Sequence, residues 1–513
     1  MTGSAGTLAG VVQHAADQQP DAVALIDDIG TITFAELNQR ISATIDVVDG
    51  SLDATVPVAV IGPNHRTWIE LYYAVPASGR LLVFLNHRLH AQELASMIER
   101  SGAGIVVGSS DDIERLRDVG VELPLFNWAA WSALVDGAGN VGVEHRIDPE
   151  SPAWLLFTSG TTAAPKGALL SHKGLLASVA ASTAARPVGI GDVYVFPFPL
   201  CHVAGYNVIH RHAHCRPVVL MPGFAAADFC EIVAREQVTS TSLAATMLAS
   251  LVDLLDVEPE RIAQLRSLTS IAYGAAPMPA SLLRKADSLL SVDFGQGYGM
   301  TELSGNAVFL NAAAHRRGLE GDVSLLEAAG VPVDGVEVRL VDDDGIAVAD
   351  GQLGEITIRA EQVMLGYLDD EAATSAALCD GWLYTGDIGR MADGLLYVVD
   401  RKKDIIITGG ENVSSLEVEA SVLDYQDVAR VAVVGMPDAT WGENVCAVVV
   451  TVPGVKLDPV ALVAHVRQSL AGFKVPRHVV VVDELPATAS GKVRKADLRR
   501  WLSENPGLLG KRL

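Results

Sequence analysis

The sequence predicts an α/β fold, a large multi-layer α/β N-terminal domain followed by a smaller α+β module. Three observations carry that expectation. At 513 residues the chain exceeds what one hydrophobic core usually supports. Short apolar runs alternate with helical patterns, as in strands covered by helices. After about Tyr384 the pattern changes to β-rich runs around one short helix.

In order, VPVAVIG (56–62), GRLLVFLN (79–86) and GAGIVVG (102–108) are predicted as buried strands, with RTWIELYYAVPAS (66–78) and AQELASMIERS (91–101) as helices between them. AWLLF (153–157), GALLSH (167–172), RPVVLMPG (216–223) and SLTSIAYGAAP (267–277) read as further strands, and DDDG (342–345) as a tight turn. In the C-terminal part GLLYVVDRKKDIII (394–407) is β-rich, and SSLEVEASVLDY (414–425) is a helix opened by serines. VARVAVVGMPD (428–438) and NVCAVVVTVPGV (444–455) suit strands. A boundary at Asp400 to Lys403 divides the chain into 1–400 and 401–513. Internal repeats and low-complexity segments are absent from the sequence.

Charge narrows the function. With 38 basic and 62 acidic residues the net charge is −24, which argues against nucleic acid as a partner and leaves anionic ligands to local basic patches. Arg401, Lys402 and Lys403 form one patch. Lys492, Arg494, Lys495, Arg499 and Arg500 form another, of which Arg499 and Arg500 read as a solvated helix face. Five cysteines without CxxC pairing suit a reducing, cytoplasmic compartment. The N-terminus lacks the basic and apolar regions of a signal peptide, and no apolar run reaches the ~18 residues of a spanning helix. Membrane contact is therefore expected to be peripheral and weak at most.

The segment FTSGTTAAPKG (157–167) points to phosphate chemistry. Thr158, Ser159, Thr161 and Thr162 supply hydroxyl and backbone donors, Gly160 lets the backbone approach, and Lys166 adds a point charge. It is no Walker A loop, because Pro165 precedes the lysine and a strand follows it. A Ser/Thr-rich surface turn is the plain alternative. Four more segments stand at long intervals: QGYGMTE (296–302), GWLYTGD (381–387), DRKKDIIITGGENVSSLEVE (400–419) and SGKVRK (490–495). Together the five resemble the adenylate-forming superfamily, and within it the acyl-CoA synthetases. The resemblance runs from about Asp21, through FLNHRL (84–89), to Leu498.

That resemblance implies a ligase that turns a carboxylic acid and ATP into an acyl adenylate, then a CoA thioester, with Mg2+ as cofactor. It implies that the segment from Thr158 to Lys166 holds the β- and γ-phosphates, Thr301 touches the α-phosphate, and Glu302 places the metal. Tyr298 would stack on adenine, with Gly274, Ala275 and Ala276 on the other side of the base. Asp387 would accept from both ribose hydroxyls beside Arg401, and Lys492 would neutralise the transferring phosphate. The C-terminal module becomes a mobile lid hinged near Lys403, bringing Gly409 and Gly410 to the pantetheine arm. His202 matches the position that gates the acyl pocket, and the segment VGMPDATWGE (434–443) favours CoA over a carrier-protein thiol.

Taken alone, several of these residues have plainer readings. The run from Gly295 to Met300 would be a strand-edge turn, Asp387 with Arg401 a surface ion pair, and His202 a buried histidine satisfying a neighbour. Small residues at Gly205, Gly274, Gly297 and Gly299 are expected to leave an apolar channel suited first to a fatty acyl chain and next to an aryl acid. His202, His210, His212 and His214 with Cys201 and Cys215 raise a zinc site, with His210 and His214 sharing a helix face. Solvent-facing histidines are the preferred account, since no acidic base stands in HEXXH spacing. Two departures from the family pattern stand out. Ala163 replaces a usual glycine, storing about 1 kcal/mol if φ is positive there, and Ser415 stands where many relatives carry proline and reads as neutral. A carrier-loading enzyme and a non-catalytic binding relative remain as alternatives, and either a monomer or a homodimer is expected.

Overall fold

A computed structural model describes residues 6–138, 145–158, 165–274, 278–408, 411–438, 441–487 and 493–509. Its contacts divide the chain into two compact units, Met1–Val338 with Ile358–Leu383, and Arg339–Thr357 with Tyr384–Leu513.

The first unit holds two large sheets. In one, Tyr194–Phe196, Val218–Leu220, Ser240–Leu243, Ser270–Gly274 and Asp293–Met300 run parallel. Gly305–Leu310 and Val331–Pro332 close one edge antiparallel, and Val23–Ile26 and Thr31–Thr33 form the other. In the second sheet the parallel strands Leu125–Asn127, Ile105–Gly108, Val58–Ile61, Leu82–Leu85 and Pro152–Thr158 are followed by antiparallel Lys166–Ser171 and Gly366–Tyr367. VAVI and IVVG are buried at every position, because helices cover both faces of a parallel sheet and leave no place for a polar alternation. The predicted helices appear as Arg66–Ala77 and Ala91–Ser101, each capped at its N-terminus by a histidine side chain.

The second unit is built round the long antiparallel pair Val428–Asp438 and Gly442–Thr451, flanked by Ile406–Thr408, Glu411–Val413 and the parallel His478–Val481. Val433, Val445, Ala447 and Val449 face a core shared with helices Ser415–Leu423 and Pro459–Ser469. Their neighbours Ala432, Val434, Cys446 and Val448 face Leu498 and Leu502 of helix Lys495–Glu504. Side chains alternate across a strand, so covering both faces requires the unbroken apolar runs seen in the sequence. Asp393 and Gly394, both at positive φ, form a two-residue turn that closes the hairpin of Trp382–Ala392 with Leu395–Arg401.

Two readings of this unit are corrected. Ser415 is not neutral: its N–H and Oγ both donate to buried Asp400 Oδ2, at 2.5 and 2.6 Å, and Lys495 Nζ donates to the same Oγ at 2.5 Å. Proline could supply neither bond to Asp400. Arg499 leaves the solvated face to pair with buried Asp404 at 2.9 Å, whereas Arg500 stays exposed.

Candidate active site

In the first unit Pro152–Thr158 and Lys166–Ser171 bracket the proposed phosphate loop. Thr158 pairs with Lys166 in register, and Thr158 Oγ1 donates to the Lys166 carbonyl at 3.4 Å. Ser159, Gly160, Thr161, Thr162 and Ala163 lie outside the described residues, as do Ala275, Ala276, Gly409, Gly410 and Lys492. The short strand Gly366–Tyr367 pairs against Leu169 and Ala168. Tyr367 there donates its hydroxyl to Glu302 Oε1 at 3.0 Å, while Lys166 Nζ lies 5.1 Å from the centre of its ring. Tyr367 thus joins two predicted site residues, and sequence reasoning missed it. Burial and then the Glu302 carboxylate push its pKa up, so the phenol keeps its proton and stays a donor. The Glu302 backbone is held too, by Met364 N–H donating to its carbonyl at 2.8 Å.

Gly297, Tyr298 and Gly299 lie inside strand Asp293–Met300, not in a strand-edge turn, and the strand delivers Thr301 and Glu302 on a single 3-10 turn. The glycines expected to line an apolar channel each have protein atoms where a Cβ would stand. A Cβ on Gly274 would meet Gly297 O at 2.4 Å, on Gly297 the Asn306 amide at 2.3 Å, on Gly299 Gly305 O at 2.0 Å, and on Gly205 Tyr72 Oη at 2.4 Å. These glycines permit close backbone and side-chain approach on the side where a Cβ would stand.

His202 opens the turn Val203–Gly205. Its Nε2 is buried, with no hydrogen-bond partner among the described residues, and burial, then Arg88 and His87, hold its pKa down to about 4. The imidazole is therefore neutral at pH 7. The solvent-facing account of the other histidines is also corrected. His210 and His212 are fully buried in helix Tyr206–His212, and His214 lies beyond its end. His212 sits between the Tyr73 hydroxyl at 2.8 Å and the Ala24 carbonyl at 3.0 Å, a pairing that suits a neutral ring. No group of three His, Cys, Asp or Glu placed to hold a metal occurs among the described residues.

In the second unit Asp387 and Arg401 face each other across the hairpin, with Arg401 Nε 2.8 Å from Asp387 Oδ1. Asp387 is buried, so this is no surface ion pair. Arg401 is further fixed by its N–H to Asp400 Oδ1 at 2.7 Å and by a guanidinium nitrogen 3.3 Å from the Thr385 carbonyl. Lys403 is exposed in the following turn, while Lys402 pairs with Asp343 and Glu355.

Residues 12–368 match the AMP-binding enzyme family, and residues 417–492 match the AMP-binding enzyme C-terminal domain. This chain belongs to the AMP-binding enzymes. A feruloyl-CoA synthase from Amycolatopsis sp is 34% identical over 507 residues, covering 94% of this chain and 97% of the relative. An indoleacetate–CoA ligase from Aromatoleum aromaticum is 34% identical over 461 residues, 87% of this chain and 88% of the relative. The solved o-succinylbenzoate CoA synthetase from Bacillus subtilis, in complex with its acyl-adenylate intermediate, superposes with a TM-score of 0.84 at 28% identity, covering 95% of this chain and 97% of that one. The chain is an AMP-forming acid–thiol ligase of the adenylate-forming superfamily. No described helix is long and apolar enough to cross a membrane.

Proposed function

We propose that this AMP-binding enzyme activates a ring-bearing carboxylic acid with ATP and passes the acyl group to CoA. The observation that carries the reading is the bridge from Lys166 through Tyr367 to Glu302, a cation and an anion held at the two motifs that the family assigns to phosphate and metal. The donor set fits Mg-ATP. Only Oε1 of Glu302 receives the Tyr367 hydroxyl, which leaves the other oxygen for a hard cation, and Lys166 can meet phosphate oxygens. Bound Mg2+ would spread the charge that develops on the phosphates.

In this scheme the loop from Thr158 to Lys166 cradles the β- and γ-phosphates, Thr301 donates to the α-phosphate, and Tyr298, Gly274, Ala275 and Ala276 hold adenine. Asp387, oriented by Arg401, accepts from the ribose hydroxyls, and Lys492 offsets charge on the transferring phosphate. His202, neutral in its buried setting, borders the acyl group. The lid comprises 401–513 with its hinge at Lys403, and Gly409 and Gly410 lie along the pantetheine arm. Trp441, partly exposed with the Arg477 guanidinium 4.1 Å from its ring, adds an aromatic and a cation suited to the CoA nucleotide. The ring-bearing acid, in place of a fatty acid, rests on relatives named for feruloyl, indoleacetate and succinylbenzoate substrates. A cytoplasmic site of action accords with the cysteines, all free.

The test is pyrophosphate release with Mg-ATP across aryl, arylalkyl and fatty acids, with and without CoA. CoA-dependent turnover with an aryl optimum supports the reading, and a fatty-acid optimum rejects its substrate class. Lys492→Ala should cripple pyrophosphate release while sparing thioester formation from supplied acyl adenylate; equal loss of both would remove the role given to Lys492.

A further inference from the structure

Donors converge on one oxygen beside the hairpin that carries Gly297 to Met300. Tyr206 Oη lies 3.2 Å from Ser182 Oγ, 3.2 Å from an Arg186 guanidinium nitrogen and 3.1 Å from the Asn306 amide nitrogen. The same Arg186 nitrogen donates to Asn207 Oδ1 at 2.9 Å, and the guanidinium lies 5.8 Å from the Phe309 ring centre. Arg186 Nε is buried without a hydrogen-bond partner, and among the described residues no carboxylate stands within ion-pair distance of this guanidinium. One turn before Ser182, the fully buried Ser178 Oγ also lacks a partner, and a Cβ on Gly305 would come within 2.1 Å of it. A half-buried cation here thus keeps one unmet donor beside an unpartnered hydroxyl, with hydroxyl, amide and ring neighbours.

Tying helix His172–Ala185 to the hairpin would explain the serines and Asn306. It does not explain the guanidinium, since an arginine whose Nε is withdrawn from water among neutral partners forfeits hydration there that a carboxylate would replace. Asn306 stands opposite Gly299 in the strand register, on the hairpin leading into Thr301 and Glu302. That juxtaposition suits the far end of an acid whose reacting carboxylate lies by those two residues.

We propose that the substrate carries a second carboxylate, distal from the one that is activated, received by Arg186 with help from Tyr206 and Asn306. The inference rests on the ligase reading and sharpens it from a ring-bearing acid to one with an anionic tail. Other oxygen acceptors, a ketone or a phenol, share part of the chemistry, and the assay separates them.

The experiment compares kcat/KM for pyrophosphate release on matched aryl acids that end in a carboxylate, a ketone, a hydroxyl or a methyl group. Wild-type enzyme should prefer the distal carboxylate to the methyl group by about 10- to 150-fold, the worth of a hydrogen bond to a charged group. Arg186→Met should collapse that ratio to about threefold or less, chiefly through the acid's KM, and Arg186→Lys should restore part of it. A wild-type enzyme indifferent to the tail, or an Arg186→Met variant equally impaired on every acid, overturns the proposal. A preference for the ketone or hydroxyl that survives Arg186→Met overturns the carboxylate assignment. If no acid releases pyrophosphate, the ligase reading fails separately. The tail receiver is then decided by whether the distal-carboxylate acid raises the Tm of wild-type protein but not of Arg186→Met.

Discussion

Acidification from pH 7 to pH 5 should loosen the first unit. His172, His202 and His212 each have pKa values held down to about 4 from 6.5, with burial as the largest cause, and burial also holds His210 well below 6.5. Between those values the unfolded chain binds more protons than the folded one, so stability rises with pH. The loss begins as pH falls through about 6.5 and levels off below about 4. Over pH 7 to 5 the linkage integral is on the order of 2 kcal/mol per group, so the three together approach the whole stability of a typical domain. Glu70, whose carboxyl is raised by burial, works in the opposite direction. The weakest point should be helix Leu8–Gln18. Its first N–H donates to His172 Nδ1 at 3.1 Å, and protonation would set one N–H against another. Urea unfolding at pH 7, 6 and 5, followed by hydrogen exchange in peptides of the first unit, reads both effects. Amides 8–18 should open first, and His172→Gln should reduce the pH-dependent loss by roughly one group's share. A midpoint that stays put between pH 7 and 5, or an unchanged slope in His172→Gln, would refute the reasoning.

Two substitutions probe the remaining geometry. Tyr367→Phe removes the hydroxyl bound to Glu302 while leaving the backbone bonds of Leu365 and Leu368 to the neighbouring strand, so the fold should survive and pyrophosphate release should fall by about 10- to 100-fold. A change of less than twofold would mean that the bridge does not support the reaction. Ser415→Pro should destabilise the second unit by about 3 kcal/mol or more, and Ser415→Ala by about 1–2 kcal/mol, because only proline removes both donors to buried Asp400. Equal unfolding midpoints for the two variants would contradict this.

The buried strands were legible because a strand covered on both faces must be apolar throughout. IVVG, VAVI and the runs around Val433 and Ala447 announce themselves without neighbours. The five motifs were legible as well, and the pairing of Asp387 with Arg401 needed only the Asp393 and Gly394 turn between two adjacent strands. Tyr367 could not be found that way. It reaches Glu302 by a pairing some 200 residues distant in the chain, Gly366 with Leu169, which no local pattern encodes. The histidines misled for a related reason. A run such as RHAHC reads as exposed, yet a neutral imidazole with a partner on each nitrogen is at home in a core, and the partners of His212 come from Ala24 and Tyr73. The glycines at 274, 297 and 299 were visible as small residues; that Gly297, Asn306 and Gly305 stand where their Cβ atoms would be depended on which strands pair. Sequence alone determined which segments must be buried and which residue types stand at the motifs, since both follow from local composition. Only the tertiary structure decided which side chains meet and which spaces are filled, because those contacts join segments far apart along the chain.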